Sequence, residues 1–151
     1  MKTNLVTLLL IGVIVLSGEA QSKDKETKIS KAIEGQWVAV DGTSNGEPAP
    51  PGYLNSLVFE FKDGHYRLAP GGASPYTVDD TKQPAWIDIQ NSLHQVGIAE
   101  IRKGKLRLCF GVNGERPTEF KSKPYTDQTY LVLKRKEPTS NTSTNEASPL
   151  H

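Results

Sequence analysis

Apolar and polar residues alternate along most of the chain between residues 30 and 136. Leu57, Phe59 and Phe61 are set against Val58, Glu60 and Lys62, and Leu106, Leu108 and Phe110 against Arg107 and Cys109. Leu131 and Leu133 stand against Tyr130 and Lys134 in the same way. A period of two sends successive side chains to opposite faces of a strand, so one face is buried and the other is mostly wet. Segments 36–40, 57–62, 65–68, 74–78, 85–89, 96–102, 105–112 and 129–135 carry this pattern or short apolar runs, which predicts eight strands. Asp63-Gly64 and Lys103-Gly104 are tight-turn signals that join their flanking strands as hairpins. No helix beyond about two turns is predicted; one short helix runs into Ile33.

Eight short sequential strands bury their edges by closing on themselves, so the fold expected is an all-β, eight-stranded antiparallel up-and-down barrel with a short N-terminal helix. At that strand number the interior holds side chains or one small ligand. A two-sheet sandwich is the alternative. In a closed barrel the first and last strands are neighbours. Arg135 shares the inward parity of Leu131 and Leu133, and Gly35-Gln36-Trp37 opens the first strand. A guanidinium stacked on the indole face, worth roughly 1 kcal/mol or more, would clamp the two ends together.

The two ends of the chain have a different composition. Met1-Lys2-Thr3-Asn4 begins positive, residues 5–16 are apolar except for Thr7 and Gly12, and Gly18 and Ala20 place small residues ahead of Gln21. That order of parts predicts a cleaved secretory signal over residues 1–20, since a membrane span needs about 20 apolar residues. Residues 21–29 read as a charged linker, 30–136 as the domain, and 137–151, rich in Ser, Thr and Asn, as a tail without enough apolar surface to order itself. The expected location is export to the periplasm or outside the cell, with no stable membrane insertion after cleavage. The 18 Lys+Arg and 17 Asp+Glu leave a formal charge of +1, which gives no broad field to capture nucleic acid. One Cys excludes both an internal disulfide and a cysteine-rich zinc site.

The chain resembles the lipocalin superfamily at Gly35-Gln36-Trp37 with its terminal basic partner. A closer resemblance rests on an ordered set: Ile33-Glu34-Gly35-Gln36-Trp37, Pro84-Ala85-Trp86-Ile87-Asp88, Gly97-Ile98, Leu106-Arg107-Leu108-Cys109-Phe110, Arg116-Pro117-Thr118-Glu119-Phe120 and Leu131-Val132-Leu133-Lys134-Arg135. It is similar to the small exported lipocalin-like domains of unknown function abundant in planctomycete-type bacteria, with Ile33 where Leu is usual. The resemblance covers about residues 30–136 and implies a fold and an exported location, but no reaction.

Candidate chemistry is sparse. Arg116 is a forked donor able to hold Asp88 or Glu119, either as a polar pocket mouth or as an ion pair pinning the long loop 111–127. Tyr53 and Trp86 are candidate aromatic contacts for a ligand, and loop 41–53, stiffened by proline, is either a lid or a passive surface loop. Cys109 is out of phase with the apolar face and reads as a small buried residue covered by the loop after Gly111. His65, His94 and His151 share no spacing with each other or with Cys109, so neither a metal site nor a nucleophile–base pair is predicted. No cofactor is expected. The role expected is a monomeric, non-catalytic binding module for a small apolar or amphipathic ligand or a protein partner. The alternatives are a structural barrel filled by its own side chains, and an enzyme built on Asp88, Arg116 and Glu119.

Overall fold

The structure, a computed structural model, describes residues 28–137. In chain order the elements are α1 (Ile29–Ala32), β1 (Gly35–Ser44), β2 (Glu47–Pro48), α2 (Pro51–Leu54), β3 (Val58–Lys62), β4 (His65–Ala69), β5 (Ala73–Asp79), β6 (Ala85–Ile89), β7 (Gln95–Arg102), β8 (Lys105–Gly111) and β9 (Thr129–Arg135). The signal expected over 1–20, most of the linker and nearly all of the tail lie outside the described residues.

All eight predicted strands form, and the ladder runs antiparallel from β1 through β3 to β9. β9 then pairs back onto β1, from Trp37 opposite Arg135 to Ser44 opposite Thr129. That seam makes the sheet a closed barrel and excludes the sandwich. β1 is longer than the segment 36–40: after a bulge between Ala39 and Asp41 it continues to Ser44 along β9. Asp41-Gly42-Thr43-Ser44 has a turn-like composition, but cross-strand pairing overrides that local preference. Beyond it, Asn45-Gly46 turns into the two-residue β2, and α2 follows, so loop 41–53 is largely structured. Asn45-Gly46, Asp63-Gly64, Lys103-Gly104 and Asn113-Gly114 all place both residues at positive φ, the backbone that matches the twist of paired strands in a tight hairpin.

One end of the barrel is stoppered. The Trp37 indole Nε1 donates to the Ile33 carbonyl at 2.7 Å. The Arg135 guanidinium lies 4.4 Å from the centre of the Trp37 ring and donates to the Ala32 carbonyl at 2.7 Å and the Glu34 carbonyl at 2.8 Å. Three consecutive carbonyls leaving α1 are thus satisfied by the clamp pair, where a short helix would otherwise leave them orphaned. Gly35 has φ +117°, and a Cβ there would sit 2.9 Å from the Arg135 Nη1. The clamp therefore requires the glycine of the Gly-x-Trp run. Above the stopper the interior is filled by Phe61, Ile87, Leu106, Leu108 and Leu133, all fully buried.

A second, smaller apolar layer lies outside the barrel. Ile98 and Cys109 face outward by parity yet are buried, because residues 112–128 cross the outer wall as a strap. The Cys109 thiol donates to the Lys121 carbonyl at 3.6 Å. The cover expected for Cys109 is this strap.

Candidate functional site

The end opposite the stopper retains space. Extension of β1, the start of β3, the end of β4 and the start of β9 form a mouth, and α2 lies over it with Leu54 turned inward and buried. The cavity beneath is about 220 Å³. Its wall is mainly apolar, with Leu57, Phe59, Leu68, Phe110 and Leu131, and its polar lining is Thr43, Ser44, Gln95, Thr129 and the two tyrosines Tyr53 and Tyr66. No charged residue lines it. Hollows of about 430, 460 and 470 Å³ on the outer surface are larger but are lined mostly by polar and charged side chains. Among these hollows of the described residues, the mouth cavity is the most recessed and has the most apolar wall, which is the usual form of a small-molecule site.

Two buried tyrosines point into the barrel and differ in one respect. Tyr76 donates its hydroxyl to Glu34 Oε1 at 3.0 Å, and its pKa is raised, first by burial and then by that carboxylate. Tyr66 packs its ring 5.4 Å from Phe61 and 6.2 Å from Phe59. Burial pushes the Tyr66 hydroxyl up to about 12, so it stays protonated at neutral pH. No protein group among the described residues hydrogen-bonds it, and since no buried side-chain oxygen there is unsatisfied, the hydroxyl keeps contact with solvent.

The other candidates are not gathered at the mouth. Arg116 comes from the strap to the outer wall, where Nη2 donates to Asp88 Oδ1 at 2.5 Å and Nη1 to the Gly97 carbonyl at 2.6 Å and the Ile87 carbonyl at 3.3 Å. Its guanidinium lies 4.4 Å from the Trp86 ring centre, and Lys82 Nζ lies 4.9 Å from the same ring. Asp88, Arg116 and Trp86 thus form one cluster on the outside of β6 and β7, away from the mouth cavity. Glu119 does not join it. Its carboxylate pairs with Lys123 Nζ at 2.7 Å, and that hydrogen bond holds its pKa below the usual range. Sequence spacing allowed Arg116 to reach either acid; the strap's turn sends Glu119 the other way.

Tyr53 lines the mouth from α2 but is 60% exposed, and Trp86 on the outer wall is 41% exposed. Tyr125 is fully exposed at the strap tip. Phe120 packs outside the barrel, 4.5 Å from the Arg107 guanidinium and 6.3 Å from the Tyr130 ring. Cys109 is buried, and desolvation raises its thiol to about 11, which removes nucleophilic character at neutral pH. Among the described residues no three His, Cys, Asp or Glu are grouped as metal ligands. Tyr66 lines the mouth but is not legible as a site residue in the sequence, because inward parity alone marks it as core. Comparison with family models, curated proteins and solved structures gives no match to this chain.

Proposed function

We propose that this protein is an exported, monomeric, lipocalin-like binding module that holds a small apolar or amphipathic molecule in the barrel mouth without performing chemistry on it. The observation that carries the proposal is the recessed, mainly apolar cavity of about 220 Å³ under α2, at the end the Trp37–Arg135 stopper leaves free. Its volume bounds the ligand. An apolar cavity of about 150 Å³ accepts benzene, while drug-sized sites begin near 300 Å³. The guest is therefore fragment-sized, a single ring or a short branched chain, and a long acyl chain does not fit. The signal-like order of residues 1–20 supports export, and the ordered motifs from Ile33 to Arg135 support kinship with the exported lipocalin-like domains. Closure of β1 on β9 supports a monomer, since it leaves no long unpaired edge.

Native mass spectrometry of the protein purified from its own host is the test. A co-purified small molecule is expected, and it should be lost from Ala49→Trp, where an indole fills the cavity from its rim. An empty wild-type chain, or a molecule retained equally by Ala49→Trp, counts against the proposal. The filled lower interior favours a second role, a purely structural barrel, and an empty wild-type chain would point to it.

A further inference from the structure

Asn-Gly occurs twice in the chain, each time followed by Glu, as Asn45-Gly46-Glu47 and Asn113-Gly114-Glu115. The pair is chemically labile because glycine has no Cβ to shield its backbone nitrogen. That nitrogen can attack the carboxamide carbon of the preceding Asn. The new N–C bond closes a succinimide as ammonia leaves, and water then opens the ring at either carbonyl. Aspartate or isoaspartate results, with no reactant needed beyond water. By sequence Asn45 is the more reactive of the two, since it follows Ser44, whereas the β-branched Val112 crowds Asn113.

The fold reverses that order. Both glycine amides are engaged in their turns, so each reaction waits on local opening, and the site with fewer restraints opens more often. Asn45 is held by backbone and side chain alike. Its amide donates to the Gln128 carbonyl at 3.0 Å, its Oδ1 accepts from the Asp127 amide at 2.7 Å, and its Nδ2 donates to Asp127 Oδ1 at 3.5 Å. The Gly46 amide donates to Ser122 Oγ at 2.9 Å, and a Cβ on Gly46 would meet Pro124 at 2.8 Å. At the other site only the backbone is held: the Asn113 amide donates to the Leu93 carbonyl and the Gly114 amide to the His94 carbonyl, both at 3.1 Å. The Asn113 side chain is exposed and makes no hydrogen bond among the described residues.

We infer that Asn113 is a site of spontaneous deamidation, with the Gly114 nitrogen as nucleophile, and that the fold protects Asn45. Isoaspartate inserts a methylene into the main chain at the root of the strap, where the bonds to Leu93 and His94 anchor it beside the Arg116–Asp88 pair. The inference is independent of the mouth cavity.

The test is peptide mapping by mass spectrometry after the full-length protein has stood in mildly alkaline buffer, with isoaspartyl methylation marking the product. In the native protein Asn113 should convert at least about 10-fold faster than Asn45, the effect of the additional hydrogen bonds at Asn45. In urea, where the fold is lost, Asn45 should convert at least as fast as Asn113. Ser122→Ala, which removes the Gly46 acceptor, should raise the Asn45 rate severalfold and leave Asn113 unchanged. Equal native rates, or an Asn113 that keeps its amide while the urea-unfolded chain loses it, overturn the inference. A preference for Asn113 that persists in urea assigns it to local sequence and overturns the role of the fold. An Asn45 rate unmoved by Ser122→Ala overturns the protection assigned to that contact, and aspartate formed without isoaspartate overturns the attack by Gly114.

Discussion

Arg135 does three things with one planar group. It stacks on Trp37 and donates to two carbonyls on different residues. Arg135→Ala removes all three contacts at a position where the side chain remains partly in water, so a loss of about 2 kcal/mol is expected. The measurement is urea unfolding, with a lowered midpoint and an unchanged slope. Arg135→Lys should recover less than half of the loss, because an ammonium on a flexible stem does not reproduce a fork aimed at Ala32 and Glu34. A fully restored midpoint in the lysine variant would show that charge alone matters. The pairing of Trp37 with Arg135 was legible because parity along β9 and the logic of closure bring the two together without knowledge of any loop. The roles of Tyr66 and Tyr76 were not legible, since both are inward tyrosines on neighbouring strands and only the position of Glu34 distinguishes them.

At the scale of elements, the strands were legible and the connections were not. Each strand carries its own period, and the Asp63-Gly64 and Lys103-Gly104 turns announce themselves through residues that tolerate positive φ. The strap has no period. Its course is decided by contacts distant in sequence, of which Ser122 is the most economical. That buried hydroxyl donates to the Gln128 carbonyl at 2.7 Å and accepts from the Gly46 backbone amide at 2.9 Å. It therefore binds the strap to the β1–β2 turn beside the mouth. Ser122→Ala takes the partner from the half-buried Gly46 amide, while the Gln128 carbonyl keeps the Asn45 amide at 3.0 Å, at a cost of about 1 kcal/mol. The strap should then lift more often, and the observable consequence lies beneath it. Cys109, otherwise sealed under the Lys121 carbonyl, should be labelled by a maleimide severalfold faster in Ser122→Ala than in wild type. Unchanged labelling would place the protection of Cys109 elsewhere. The Arg116 contacts to Asp88, Gly97 and Ile87 hold the other half of the strap, so the variant should loosen the tip without releasing the whole loop.

For the molecule as a whole, the buried titratable groups shape the stability curve at high pH. Burial raises Cys109 from 9.0 to about 11 and Tyr66 from 10.0 to about 12, and Tyr76 is raised in the same direction. These acids are neutral in the folded state over a range in which the unfolded chain has already ionised them. Their contribution is fully present below about pH 9 and is lost as pH rises toward 12. Urea midpoints should thus be level near neutrality and fall across that window. Cys109→Ala should flatten the lower part of the fall and Tyr66→Phe the upper part; an alkaline slope indifferent to both substitutions would contradict the burial assigned to them. The architecture itself was readable from the number and parity of the strands. What escaped was the interior, because whether a barrel of this size is filled or hollow depends on which side chains lean toward which end.

The seam between β1 and β9 also bears on biosynthesis. Of the described strands the ribosome makes β9 last, so a nascent chain keeps β1 and β8 each bare along one backbone until Thr129–Arg135 emerges. A premature stop anywhere in the strap would release two raw edges with nothing to marry them, and such edges recruit other molecules. Half a barrel is not half as stable; it is sticky. Whether the edges of β1 and β8 are covered therefore depends on whether the seven residues of β9 were translated.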